Sequence, residues 1–145
     1  MRAYIAGPLF NEGERWWNAE IDLRVRKLGF TTYIPQRDGV KLENKGDVIK
    51  IFESDKNALM QADLIVANLD GMDVDSGTAW ELGFAEGLGK HCVGVYTDWR
   101  LHFKYQTVNL MIQCSVDKLV HSLEELEQYL QQCLADEKTY IRKAS

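Results

Sequence analysis

The sequence predicts a small doubly wound α/β fold, flavodoxin-like or Rossmann-like, with a five-stranded parallel sheet and helices on both faces. Three observations carry this prediction. Strand-like and helix-like segments alternate from end to end, the pattern of parallel strands joined by right-handed crossovers. The strand segments are short and almost continuously apolar, as strands buried on both faces are. Finally, 145 residues with 46% hydrophobic and 27% charged side chains make one ordinary globular domain, residues 1–145. A domain of this size buries roughly 68 to 70% of the surface its unfolded chain exposes, so its core needs no disulfide or metal. No internal repeat, low-complexity segment or linker rich in Pro, Gly or Ser divides the chain.

The first strand is Ala3 to Ala6, closed by Gly7 and Pro8. Trp17, Ile21, Val25 and Leu28 then recur at i, i+4, i+8 and i+11, and Gly29 follows as a stop signal, which defines a first amphipathic helix. Thr31 to Ile34, ended by Pro35, is the second strand. Ile51, Asp55, Leu59 and Ala62 form the stripe of a second helix, and Leu64 to Asn68 is the third strand. Trp80, Phe84 and Leu88 mark the stripe of a third helix, and Cys92 to Tyr96 the fourth strand. A short helix at Leu110 to Ile112 and a strand around Lys118 to Val120 lead to a last helix with the stripe Leu123, Leu126, Leu130 and Leu134. In such sheets ligands bind beyond the carboxyl ends of the strands at the switch point. Chemistry is therefore expected in the loops after Ala6, Ile34, Asn68 and Tyr96.

Composition narrows the function. The net charge is −5, from 17 Lys and Arg against 22 Asp and Glu, and the basic residues are scattered, so neither nucleic acid nor an anionic membrane surface is an expected partner. Cys92, Cys114 and Cys133 are odd in number and far apart, which fits reduced thiols in the cytoplasm. No apolar run approaches the roughly 18 residues that span a bilayer, and Gly7 and Pro8 interrupt the start where a signal peptide needs a longer apolar stretch. A soluble cytoplasmic protein is expected. His91, His102 and His121 lack ligand-like spacing, so no metal site is expected. The sequence has no GxGxxG, no GxxxxGK[ST] and no nucleophile elbow, which removes the main support for dinucleotide, P-loop and serine-hydrolase readings.

Two features remain. The loop after the third strand, Asp70-Gly-Met-Asp73-Val-Asp75-Ser76-Gly77-Thr78-Ala-Trp-Glu81-Leu-Gly83, is acidic. One reading is capping: Thr78-x-x-Glu81 is a capping box, Asp75 or Ser76 is an alternative N-cap, and acids favour the positive end of a helix dipole. The other is chemical, because Glu81 lies on the first helical turn at the mouth of the sheet, where a carboxylate can act as nucleophile or base. Asp55 interrupts an apolar stripe. It is either satisfied by a buried partner or holds a proton near neutrality as a general acid must. Gly7 permits close approach of a ligand, and Phe10 is either core or an aromatic face for a planar ring.

Tyr4-Ile-Ala-Gly-Pro-Leu-Phe10, Asp55, the run Asp75-Ser-Gly-Thr-Ala-Trp-Glu81-Leu-Gly83, and Val108-Asn109-Leu-Met111 together resemble the nucleoside 2-deoxyribosyltransferase family. The resemblance runs from the first strand to about Asp117, and its specific part is the Asp-x-Gly-Thr-x-x-Glu-x-Gly motif. It implies a doubly wound parallel sheet and a double displacement at C1′ of a 2′-deoxyribonucleoside, without metal or redox cofactor. Glu81 would form a covalent deoxyribosyl-enzyme that a second free nucleobase intercepts. Asp55 would protonate the departing base, Tyr4 position the nucleophile, and Asp75 orient the substrate. Phe10 would stack on the base, and the backbone around Ser76 would also contact substrate. Asn109 would reach a neighbouring subunit's site and bind the 5′-hydroxyl, which implies a homo-oligomer, a dimer or a trimer of dimers. Its other reading is as the cap of the short helix at Leu110.

Departures from the family pattern fall at the tail, which continues through Tyr140 to Ser145 and is given no role, and in the loop Gln36-Arg37-Asp38-Gly39, which occupies the region that reads the base. Two alternatives stay open. One is an N-glycosidase of deoxynucleoside 5′-monophosphates that uses Glu81 but delivers the sugar to water, with Arg15, Arg37 and Lys104 as phosphate ligands. The other is a non-catalytic nucleotide-binding module.

Overall fold

A computed structural model describes residues 1–100 and 106–144, with 137–144 as backbone only. Its strands are β1 (Arg2–Ala6), β2 (Thr31–Tyr33), β3 (Leu64–Asn68), β4 (His91–Val95) and β5 (Lys118–Val120). They form one sheet in the order β2-β1-β3-β4-β5, and every neighbouring pair is parallel. The helices are α1 (Glu12–Lys27), α2 (Pro35–Asp38), α3 (Asp47–Gln61), α4 (Ser76–Gly87), α5 (Leu110–Ser115) and α6 (Leu123–Ala144).

Side chains alternate across a strand, so each apolar run feeds two cores. Ala3, Ile5, Leu64 and Val66 meet Ile21 and Val25 of α1 and Leu126 and Leu130 of α6. Tyr4, Ala6, Ile65 and Ala67 meet Ala58 and Leu59 of α3 and Leu82 and Ala85 of α4. The near-continuous apolarity of the strands is thus the signature of burial on both faces. α1 starts in a capping box, in which Asn11 Oδ1 accepts from the Glu14 amide and Glu14 Oε2 from the Asn11 amide. It gives way just past its C-cap to Gly29, whose φ of +96° suits glycine alone.

The chain leaves β1 toward β2 and returns on the other side of β1 to form β3. The loops after β1 and β3 therefore part, leaving a crevice at the carboxyl ends of the strands. Among the described residues no helix is long and apolar enough to cross a membrane.

Three local expectations change. The α4 stripe of Trp80, Phe84 and Leu88 only partly faces the core: Trp80 and Leu88 are exposed, Phe84 packs half-buried against the α3–α4 side, and the fully buried face is Thr78, Leu82 and Ala85. Small and aliphatic residues let the helix approach β3 and β4, while Trp80 stacks on Phe84 and tilts against Phe52 of α3 beside the sheet. Pro35 does not merely end β2 but opens the single turn of α2, where its missing N–H costs nothing. The helix expected at Leu110 to Ile112 extends to Ser115.

Candidate active site

Asp75 is the N-cap of α4, and its Oδ2 accepts from the Thr78 amide at 2.9 Å and the Thr78 hydroxyl at 3.1 Å. The cap is therefore supplied by Asp75, not by a Thr78–Glu81 box, and Glu81 one turn later is released for another partner. That partner is Tyr4, buried in β1, whose hydroxyl donates to Glu81 Oε1 at 2.5 Å. Asp55 arrives from α3 and accepts a hydrogen bond from the Tyr33 hydroxyl at 2.7 Å. Asp55 and Glu81 line one cavity of about 300 Å³ with Phe52, Lys56, Leu59, Gly77 and Trp80. That is the lower end of the roughly 300–1,000 Å³ typical of small-molecule sites.

The electrostatics of this cavity are unusual in one respect. Among the described residues no Lys or Arg forms an ion pair with Asp55, Asp75 or Glu81. The nearby Lys56 ammonium lies instead over the rings of Phe52 and Phe84, 5.7 and 5.6 Å from their centroids. Burial pushes Glu81 from its ordinary 4.5 up to about 7; the Tyr4 hydrogen bond pulls it down, and the charges of Asp55 and Asp75 add to the rise. Burial likewise raises Asp55, against the hydrogen bond from Tyr33. Tyr4 is held far above the usual phenol range by burial and by the Glu81 charge, and remains a hydrogen-bond donor throughout. Such a pair can share one proton while presenting one carboxylate, and their uncompensated charge favours a cationic species formed between them.

The other sequence-predicted residues fall around this cluster. Ser76 is the exposed first residue of α4. Phe10 is 78% exposed on the loop after β1, so it is not core, and it does not line the cavity. At Gly7 a Cβ would collide with the Asn18 side-chain amide, so close packing alone already requires a glycine there. Asn18 is itself buried, donates to the Pro8 carbonyl at 2.7 Å and accepts from Asn68 Nδ2 at 2.9 Å, tying the exits of β1 and β3 together. Asn109 Oδ1 caps α5 by accepting from the Met111 amide at 3.0 Å. It lines a separate cavity with Glu86 and Met111, away from the Asp55–Glu81 cluster of its own chain. Among the described residues no three His, Cys, Asp or Glu side chains gather as a metal would require.

Of the basic residues considered as phosphate ligands, Arg37 is already engaged by Asp22 at 2.7 Å and Asp38 at 2.7 Å. Arg15 is exposed on α1, and Lys104 lies outside the described residues. Tyr33 and the Asn18–Asn68 pair were missed in the sequence. The available signal was the repeated Tyr-Ile, at Tyr4-Ile5 and Tyr33-Ile34, each in a strand that runs out at a proline, Pro8 and Pro35.

The family model described as nucleoside 2-deoxyribosyltransferase matches residues 3–136. The chain belongs to this family. The match extends past Asp117 into α6. Comparison with curated protein sequences finds no match. Among solved structures, a conserved protein from Enterococcus faecalis V583 superposes with a TM-score of 0.80 at 28% identity, over 91% of this chain and 98% of that one. The 2-deoxyribosyltransferase of Bacillus psychrosaccharolyticus gives 0.77 at 27% identity, over 88% and 90%. The 2-deoxyribosyltransferase of Leishmania mexicana gives 0.71 at 25% identity, over 90% and 97%. Family membership makes this a nucleoside-modifying enzyme, transferase or glycosidase.

Proposed function

We propose that the protein is a nucleoside 2-deoxyribosyltransferase that exchanges nucleobases on 2′-deoxyribonucleosides through a covalent deoxyribosyl–Glu81 intermediate. The observation that carries this reading is the hydrogen bond from Tyr4 to Glu81 Oε1, which leaves the other oxygen free in a cavity shared with Asp55. In the first step Glu81 Oε2 bonds to C1′ as the C1′–N bond breaks, and Asp55 gives its proton to the departing base. In the second, a nitrogen of the incoming base attacks C1′, the C1′–O bond to Glu81 breaks, and the proton lost by that base returns to Asp55. Two inversions give net retention through an oxocarbenium-like transition state, as in retaining glycosidases. Carboxylates that no Lys or Arg pairs with among the described residues are suited to stabilise that transition state.

Asp75 acts on this chemistry twice in the proposal, by capping the helix that carries Glu81 and by orienting the sugar, while Phe10 stacks on the base and Ser76 contributes backbone contacts. Asn109 is assigned to a neighbouring copy's site, where its neutral amide suits a 5′-hydroxyl. Its placement outside its own chain's cluster and the exposed apolar rim of Phe52 and Trp80 support an oligomer. Engagement of Arg37 by two carboxylates supports a nucleoside over a 5′-monophosphate.

The test is incubation with a deoxynucleoside and a second free base. Appearance of a new deoxynucleoside is expected. Release of deoxyribose 5-phosphate from a monophosphate, without exchange, would replace the transferase reading with the hydrolase. Ligand binding without turnover, unaffected by Glu81→Ala, would leave a binding module.

A further inference from the structure

Tyr4 and Tyr33 are register partners on β1 and β2. In a sheet, residues opposite one another on neighbouring strands point to the same face and lie about 4.8 Å apart. Their rings accordingly stack, with centroids 5.5 Å apart and planes 18° from parallel. Each phenol ends on a carboxylate from a different helix: Tyr4 on Glu81 of α4, Tyr33 on Asp55 of α3. Among the described residues these are the only hydrogen bonds either carboxylate makes to a side chain. The two acids are thus pinned to adjacent rungs of one sheet.

Tyr33 itself is tightly specified. It is 8% exposed and does not line the cavity. Its single hydroxyl proton is committed to Asp55 Oδ1, so Ser54 Oγ, 3.1 Å away, must be the donor in its contact with the Tyr33 oxygen. The Ser54–Tyr33–Asp55 chain therefore has one direction, and it fixes which oxygen of Asp55 is occupied.

We propose that Tyr33 is a positioning residue of the same reaction: it holds Asp55 Oδ1 so that Oδ2 carries the proton toward the departing base, and by stacking on Tyr4 it sets the acid at a fixed distance from Glu81. The proposal rests on the transferase reading for its kinetic consequences, but not for the hydrogen bond itself. A hydrogen bond to a carboxylate favours its ionised form, so Tyr33 also tempers the rise that burial imposes on Asp55.

Tyr33→Phe keeps the ring and the stack and removes only the hydroxyl. The expected result is an unchanged fold by circular dichroism, a fall in kcat of about 10- to 100-fold, below the roughly 100- to 10,000-fold that general acid catalysis contributes as a whole because the acid itself is retained, and a KM within about twofold. The loss is expected to be largest for poor leaving bases and to shrink to less than about threefold in an Asp55→Asn background, since both variants disable one unit. A direct readout accompanies the kinetics: in carbon-13 aspartate NMR the Asp55 carboxyl titrates at higher pH in Tyr33→Phe than in the wild type. An unchanged Asp55 midpoint, or losses that multiply in the double variant, would overturn the proposal. If the wild type exchanges or hydrolyses no deoxynucleoside, the function reading fails, and the Asp55 titration still decides whether Tyr33 holds the acid.

Discussion

Replacing Glu81 by Gln separates the electrostatic cost of the proposed nucleophile from its chemical use. Glutamine keeps the shape and can still accept from Tyr4, but removes the charge. A carboxyl whose pKa climbs from 4.5 unfolded to about 7 folded binds more protons in the native state between those two values. Stability is therefore fully present below about pH 4.5 and is lost as pH rises to about 7. At about 1.36 kcal/mol per pKa unit the rise corresponds to about 3 kcal/mol. Glu81→Gln is expected to abolish base exchange and, at pH 8.5, to be more stable than the wild type by about 3 kcal/mol, with no advantage near pH 4. Urea unfolding of both proteins at pH 4, 6 and 8.5 measures the difference. A stability gap that does not change with pH would refute the claim that the folded protein desolvates this carboxylate, and near-native exchange by the variant would remove Glu81 as nucleophile.

Two further outcomes follow from neighbouring contacts. Asp55→Asn is expected to slow exchange about 100-fold or more for poor leaving bases and much less for good ones, the mark of a lost general acid; equal slowing across adenine, hypoxanthine, cytosine and thymine would argue against that role. Gly7→Ala drives a Cβ into the Asn18 amide and is expected to cost about 2–3 kcal/mol in urea unfolding, with a markedly smaller cost in an Asn18→Ala background, where the obstruction is gone; additive costs would place the strain elsewhere.

Much of this fold was legible because its strands are buried on both faces and bounded by Gly, Pro or Asp, so the runs at Ile5 and Val66 could hardly be anything else. α4 was misoriented for a related reason. Periodicity identifies an apolar stripe but not what lies opposite it, and Trp80 and Phe84 form a ridge beside the cavity while Leu82 and Ala85 meet the sheet. α2 was hidden because a proline after a strand reads as a terminator, and whether it also opens a helix depends on what Gln36, Arg37 and Asp38 contact. Arg37 is bound to Asp22, a partner 15 residues earlier.

The site divides along the same line. Asp55 stood out because an acid on an apolar stripe is locally anomalous, and Glu81 because its spacing from Asp75 and Thr78 is local to one helix turn. Tyr33 raised no alarm, since an aromatic residue in a strand is ordinary. What distinguishes it is register: sliding β2 by one residue against β1 would turn Tyr33 to the α1–α6 side and leave Asp55 unheld. Its significance is a relation between Tyr4, Tyr33 and two helices, and no window of sequence contains that relation. Gly7 shows a related ambiguity. A glycine that admits a ligand and one that admits a packed side chain look alike in sequence, and here Asn18 occupies the space. Asn18 of α1 bonds both the Pro8 carbonyl after β1 and Asn68 at the end of β3, so a buried amide links the two strand exits that diverge. The two carboxylates that line the cavity are each held by a phenol, Glu81 by Tyr4 and Asp55 by Tyr33, and those phenols meet only because β1 and β2 pair in this register.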